Sequence, residues 1–169
     1  MAWKTGRIDY LFPQAAHWFD GSIVNPRNLV EILSMDKPVK TYQQSGVLPF
    51  YEDRVVLITA RSTGRWIIPK GHVEKGMTPA DSAAKEAFEE AGVTGKVVGG
   101  EIGVYRYQRP NGLYTVSVFP FEVEQLLDVW HEMAFRQRRL VTPEEAINMI
   151  VQEQLRAVVE SYFAGMARC

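Results

Sequence analysis

The 169-residue sequence has one cysteine, no long apolar run and no surplus of either charge. The cysteine is Cys169, the last residue, so no disulfide can form within the chain, and the count suits a reducing compartment. No apolar stretch approaches the roughly 18–20 residues needed to cross a bilayer, so no membrane partner is expected. The N-terminal stretch is interrupted by Arg7, Asp9, Pro13 and Asp20, unlike a secretory leader. With 19 Lys and Arg against 20 Asp and Glu, a chain-wide attraction to nucleic acid is not expected. Internal repeats, low-complexity tracts and a Gly-x-Ser-x-Gly nucleophile motif are also missing. His17 and His131 lack ligand-spaced partners, so nothing points to zinc.

What remains is 46% hydrophobic and 23% charged, ample for a packed core in one domain or one domain with an appendage. A soluble cytoplasmic protein is the expectation. Residues 1–40 are aromatic-rich and turn-punctuated, with a short helix expected after Asn25-Pro26, and read as an N-terminal extension. The domain proper is expected over 41–169. Strands are expected at Thr41–Phe50, Val55–Ala60 and Trp66–Ile68, then a loop over Lys70–Met77. Thr78, Pro79 and Asp81 announce a helix over 79–91, closed by Gly92. Further strands are expected at Val97–Gln108 and Tyr114–Val123, around an Asn111-Gly112 turn, and near Arg138–Val141. Thr142 and Glu145 form a capping box before a C-terminal helix or helix pair. Its stripe of Val151, Leu155, Val158, Val159, Tyr162 and Met166 suits packing on a sheet. The order of elements predicts an α/β protein of α+β type, a mixed sheet with helices on its faces.

Helix 79–91 carries the chemistry. Ala80, Ala83, Ala84, Ala87, Phe88 and Ala91 recur at helical spacing as a narrow apolar face. Glu86, Glu89 and Glu90 occupy roughly a 100° arc on the opposite side. They repel one another, and they sit where the helix dipole is negative. Lys85, four residues before Glu89, is the one compensating charge nearby. The residues alone leave two readings open, a solvated acidic face or an oxygen-ligand site for a hard divalent cation.

The stretch Gly71, five residues, Met77, seven residues, then Lys85-Glu86-Ala87-Phe88-Glu89-Glu90-Ala91-Gly92-Val93 resembles the Nudix box. The spacing agrees throughout, and the lead-in Trp66-Ile67-Ile68-Pro69-Lys70-Gly71-His72 is similar too. Met77 stands where the family has Glu, and Lys85 where it has Arg. Lys keeps the charge and loses the planar fork that orients carboxylates. Glu74, in the same loop, is a candidate substitute charge.

Over about 41–149 the resemblance implies a Nudix-like α/β/α sandwich with an N-terminal extension. It implies a Mg²⁺-dependent (or Mn²⁺-dependent) hydrolase of a phosphoanhydride in a small-molecule substrate. By motif position, Gly71, Glu86, Glu89 and Glu90 would bind metal, and Glu89, Glu90 and Lys85 would serve catalysis, with Glu89 or Glu90 as general base.

Arg61, Arg65, Lys70 and Arg138 lie near strand ends and are candidate substrate contacts. Trp130 reads as packing. The order Trp130, Arg136-Gln137-Arg138-Arg139, Thr142-Pro143-Glu144-Glu145-Ala146 resembles the diphosphoinositol polyphosphate and diadenosine polyphosphate hydrolase subgroup. Nucleoside triphosphate or ADP-ribose pyrophosphatase activity, or a nucleotide-binding module without catalysis, are the alternatives. A homodimer through the N-terminal extension is a further expectation.

Overall fold

The computed structural model describes residues 39–166. The helix expected after Asn25-Pro26, the rest of the N-terminal extension and any dimer contact through it lie outside the described residues.

Among the described residues eight strands form one sheet: β1 (Thr41–Tyr51), β2 (Arg54–Thr59), β3 (Trp66–Ile67), β4 (Lys70–His72), β5 (Val93–Val97), β6 (Gly103–Arg109), β7 (Gly112–Leu126) and β8 (Arg138–Val141). The central path runs β3-β2-β1-β7-β5; β4 pairs with β1, β6 with β7 and β8 with β2. β1 and β7 run parallel, and the other pairings are antiparallel. Among the described residues three helices accompany the sheet: α1 (Pro79–Glu86), α2 (Pro143–Met149) and α3 (Glu153–Met166).

Period-2 alternation builds a core on each face. Leu48, Val55, Leu57, Val116 and Val118 join Ala146, Ile150, Leu155, Val158 and Val159 from the α2–α3 side. Their neighbours Val47, Val56, Ile58, Phe121 and Val123 join Ala83, Ala87 and Ala91 from the α1 side. A slip of one residue would exchange the two sets, so burial on both faces pins the register. The result is an α/β/α sandwich on a mixed sheet, as expected.

Several boundaries differ from the sequence reading. The loop expected at Lys70–Met77 begins as β4, because Lys70, Gly71 and His72 pair with Gly46, Ser45 and Gln44. The strand expected at Val97–Gln108 forms only from Gly103, as β6; Val97 is the last residue of β5, whose other residues were not expected as strand, and the stretch around Gly99-Gly100 is not strand. The hairpin turn is centred on Pro110-Asn111, since Arg109 pairs directly with Gly112. Helix 79–91 is α-helical only to Glu86; Ala87–Ala91 form a wider π turn that ends at Gly92 in the left-handed region (φ 61°). Phe88, expected on the buried face, is exposed, while Glu90 is buried. From the C-terminal stripe, Leu155, Val158 and Val159 are core, whereas Val151 and Met166 are exposed.

Candidate active site

The site is assembled where the α1 end meets β4. Thr78 caps α1: its Oγ1 accepts from the Asp81 N–H at 3.1 Å and donates to the Asp81 carboxylate at 2.6 Å. Ser82 Oγ accepts from the Glu74 N–H at 3.1 Å, tying the preceding loop to the first turn. At the other end, the last carbonyls all accept from the segment 127–138. Glu132 N–H donates to Glu89 O (3.2 Å), Trp130 Nε1 to Glu90 O (3.2 Å) and Leu127 N–H to Gly92 O (2.8 Å). Arg138 Nη1 donates to both Ala91 O (2.9 Å) and Gly92 O (3.0 Å), with its guanidinium over the Trp130 ring. These bonds satisfy carbonyls that a helix end otherwise leaves unpaired, and they fix the rotation of the carboxylates.

Gly71 and Glu86 are in direct register. A Cβ on Gly71 would lie 1.7 Å from Glu86 Oε1, so only glycine admits that carboxylate beside the β4 backbone. Burial raises the Glu86 carboxyl to about 7, with the charges of Glu90 and Glu89 adding to the shift. Glu90 is 6% exposed, and its pKa is also raised by burial, against the opposing pull of the Lys70 backbone N–H and the nearby cations. Its Oε2 accepts from Lys70 N–H at 2.9 Å, and its Oε1 from Arg136 Nη2. Arg136 is fully engaged, with Nε on Glu132 Oε2 (2.5 Å) and Nη1 on Thr59 O (2.9 Å).

Lys85 contacts neither Glu86 nor Glu90 by hydrogen bond. Its ammonium donates to Glu74 (2.8 Å) and to the Glu89 carboxylate (3.1 Å), which raises its pKa. Glu74, the candidate substitute charge, is therefore paired with Lys85. Among the described residues, no three acidic, histidine or cysteine side chains already converge as a cage for an ion.

Beside Glu90 opens a cleft of about 500 Å³. Arg61, Arg65, Lys70, Arg109 and Arg136 line it, with Tyr105 and Tyr107 on the β6 wall and Gln152 and Leu155 on the α3 side. Three of the four expected substrate contacts, Arg61, Arg65 and Lys70, therefore meet in one cleft. Arg138 does not: its guanidinium is committed to the helix-end carbonyls and Trp130. Burial lowers the Lys70 pKa, against the opposing pull of Glu90. Tyr107 stacks on Tyr114 at 5.0 Å, with Lys70 and Arg109 each 5.5 Å from its ring centre. Arg136 and Arg109 were not among the expected substrate contacts. Placing Arg136 needs the β2–β8 pairing, which no local spacing reveals, whereas Arg109 stands at the end of the β6–β7 hairpin, whose turn was expected.

Residues 42–162 match the NUDIX domain family, and the chain belongs to that family. It is 33% identical over 114 residues to "Nudix hydrolase 21, chloroplastic" of Arabidopsis thaliana, covering 66% of this chain and 57% of that protein. It is 35% identical over 102 residues to diphosphoinositol polyphosphate phosphohydrolase 3-alpha of Mus musculus, covering 59% and 61%. The chain thus spans about three fifths of these relatives' lengths. Its fold matches a C. elegans Ap4A hydrolase with a TM-score of 0.64, at 18% identity, over 76% of this chain and 99% of the other.

Proposed function

We propose that this NUDIX protein is a metal-dependent pyrophosphohydrolase, cleaving a phosphoanhydride in a small, densely phosphorylated substrate of the diphosphoinositol or diadenosine polyphosphate kind. One observation carries the reading: Glu90 joins the acidic helix end to the cationic cleft. Its two carboxylate oxygens are held by Lys70 and Arg136, and both residues line that cleft. Phosphates seated among Arg61, Arg65, Lys70 and Arg109 would bring an anhydride linkage up to Glu86, Glu89 and Glu90. The kinds of substrate are those in the names of the mouse relative and the C. elegans structure.

NUDIX hydrolases generally use divalent metal ions. The donor set fits a hard dication such as Mg²⁺ or Mn²⁺, because three carboxylates lie on one helix end and Glu86 resists ionising there. Glu86, Glu89 and Glu90 would hold it, with the Gly71 carbonyl adjacent. When bound, the ion would supply charge neutralisation for the phosphates and a more acidic water. The chain's own residues do the rest. Lys85 steadies Glu89, and Arg136 and the Lys70 N–H steady Glu90. Glu89 or Glu90 accepts the water's proton. The cleft cations hold the phosphates through charged hydrogen bonds.

Met77 and Lys85, which stand where the family has Glu and Arg, support as second reading a binding module without catalysis. Among the described residues no helix is long and apolar enough to cross a membrane. We retain the cytoplasm as the proposed compartment. The deciding experiment is a panel of diadenosine polyphosphates, diphosphoinositols, nucleoside triphosphates and ADP-ribose, with and without Mg²⁺. Metal-dependent turnover of one of the first two supports the proposal. Binding by calorimetry with no product on long incubation supports the module instead.

A further inference from the structure

A buried polar group in the lining of the cleft has no part in the proposed chemistry. Tyr105, in β6, lines the cleft and is only 2% exposed, yet its hydroxyl has no hydrogen-bond partner. Tyr107, two residues on and stacked 6.2 Å away, differs in this respect, because its hydroxyl donates to Gln44 Oε1 at 2.7 Å. Buried hydroxyls in native proteins nearly always find a partner, since an unpaired one has lost water and gained nothing. Phenylalanine would fill the same space in this core without that cost. The partner is therefore to be sought in the cleft, and the cleft's charge says what kind it is. Lys70, Arg109 and Arg136 line the same space, so the occupant they select is an anion. Burial, with Tyr107 and Glu90 adding to it, holds the phenol protonated, hence a donor.

We propose that Tyr105 is a ligand-binding residue whose hydroxyl donates a hydrogen bond to a phosphate oxygen at the floor of the cleft. This deepens the polyphosphate reading above and rests on it. The division of labour follows from the side chains. Arg61, Arg65 and Arg109 are exposed and attract any polyanion. Tyr105 is held rigidly in the sheet, so its short, directional bond rewards only a ligand that seats a phosphate deep beside Lys70. A site with a buried donor discriminates strongly against ligands that leave it unpaired.

The test uses inorganic tripolyphosphate as probe, with isothermal calorimetry and the unliganded melting temperature measured on the full chain. Tyr105→Phe removes one oxygen and keeps the ring. It should bind tripolyphosphate about tenfold more weakly, in line with a hydrogen bond to a charged acceptor. Its salt dependence should equal that of the wild type, because no charge is removed, whereas Arg65→Ala should flatten it. The unliganded melting temperature should stay level or rise. Wild-type binding with unchanged affinity in Tyr105→Phe overturns the role of Tyr105 and leaves the cleft reading standing. A lower unliganded melting temperature with unchanged affinity assigns the hydroxyl to the fold and also overturns it. A wild type that does not bind tripolyphosphate removes both readings together.

Discussion

Two cations meet the acidic end of the helix, one on each side and under opposite conditions. Arg136 reaches Glu90 in a place where both side chains are 8% exposed, and every edge of its guanidinium is bonded. Lys85 reaches Glu89 and Glu74 at the surface, with 39% of its side chain in water. The charges are alike, but the surroundings decide their worth. An exposed pair contributes at most about 1 kcal/mol, since water and salt screen it and two long side chains must be held still. Removing one partner of a buried pair leaves a stranded charge, at a cost of about 3–5 kcal/mol. Glu90, which Lys85 does not reach by hydrogen bond, is held instead by a residue fifty-one positions beyond Lys85.

Each end of this comparison can be broken separately. The largest effect is expected on turnover. Glu90→Gln and Glu89→Gln should each lower kcat by orders of magnitude on the substrate that the panel identifies. Full rates in both would remove the assigned roles. Next, Arg136→Met should destabilise the fold by about 3–5 kcal/mol in urea unfolding, because Glu90 and Glu132 lose a shared partner. A double variant with Glu90→Gln should recover part of that loss. If Arg136→Met unfolds at the wild-type midpoint, the buried pair carries none of the weight given to it here.

Gly71→Ala should come third. The added methyl displaces the Glu86 carboxylate, so metal affinity should fall more than stability, with Mg²⁺ titration by calorimetry as the measurement. The pH response is fourth. Glu86 rises from 4.5 to about 7 on folding, so the folded chain binds its proton more tightly than the unfolded chain. That contribution to stability is complete below about 4.5 and is lost as pH climbs through 7. Without metal, the melting temperature of the wild type should therefore decline over this window relative to Glu86→Gln. Mg²⁺ competes with the proton, so it should raise the wild-type melting temperature more at pH 8 than at pH 5.5. The smallest effect belongs to the exposed side. Lys85→Met should leave the urea-unfolding midpoint close to the wild-type value, and a shift as large as that of Arg136→Met would erase the contrast between the two ends.

The sequence made much of this visible, and the exceptions share a cause. Val55–Ala60 and Tyr114–Val123 announce themselves by β-branched and aromatic runs, and Thr78 and Thr142 by capping chemistry that acts within four residues. These are local signals. β4 is legible only through its pairing with Gly46, Ser45 and Gln44, since Lys-Gly-His has no strand pattern of its own. The π turn is hidden because Ala87–Ala91 has the composition of ordinary helix; bonds from residues 127–138 to its carbonyls accompany it. Within the candidate site, Glu86, Glu89, Glu90 and Gly71 are singled out by the motif that the sequence resembles. Arg136 is not, because its link to Glu90 passes through the pairing of β8 with β2. Arg138 misled for the same reason: a basic residue at a strand end looks like a substrate contact until the carbonyls it caps are seen.

The four carbonyls from Glu89 to Gly92 all lean on a segment that begins thirty-four residues after the motif's last position, Val93. The motif is therefore not portable. Transplanted by itself into another sandwich of this shape, Gly71–Val93 would bring the right carboxylates without the clasp that sets their angle. A working graft needs residues 127–138 as its second half. Homology drawn around the motif alone would leave out half of what builds the site.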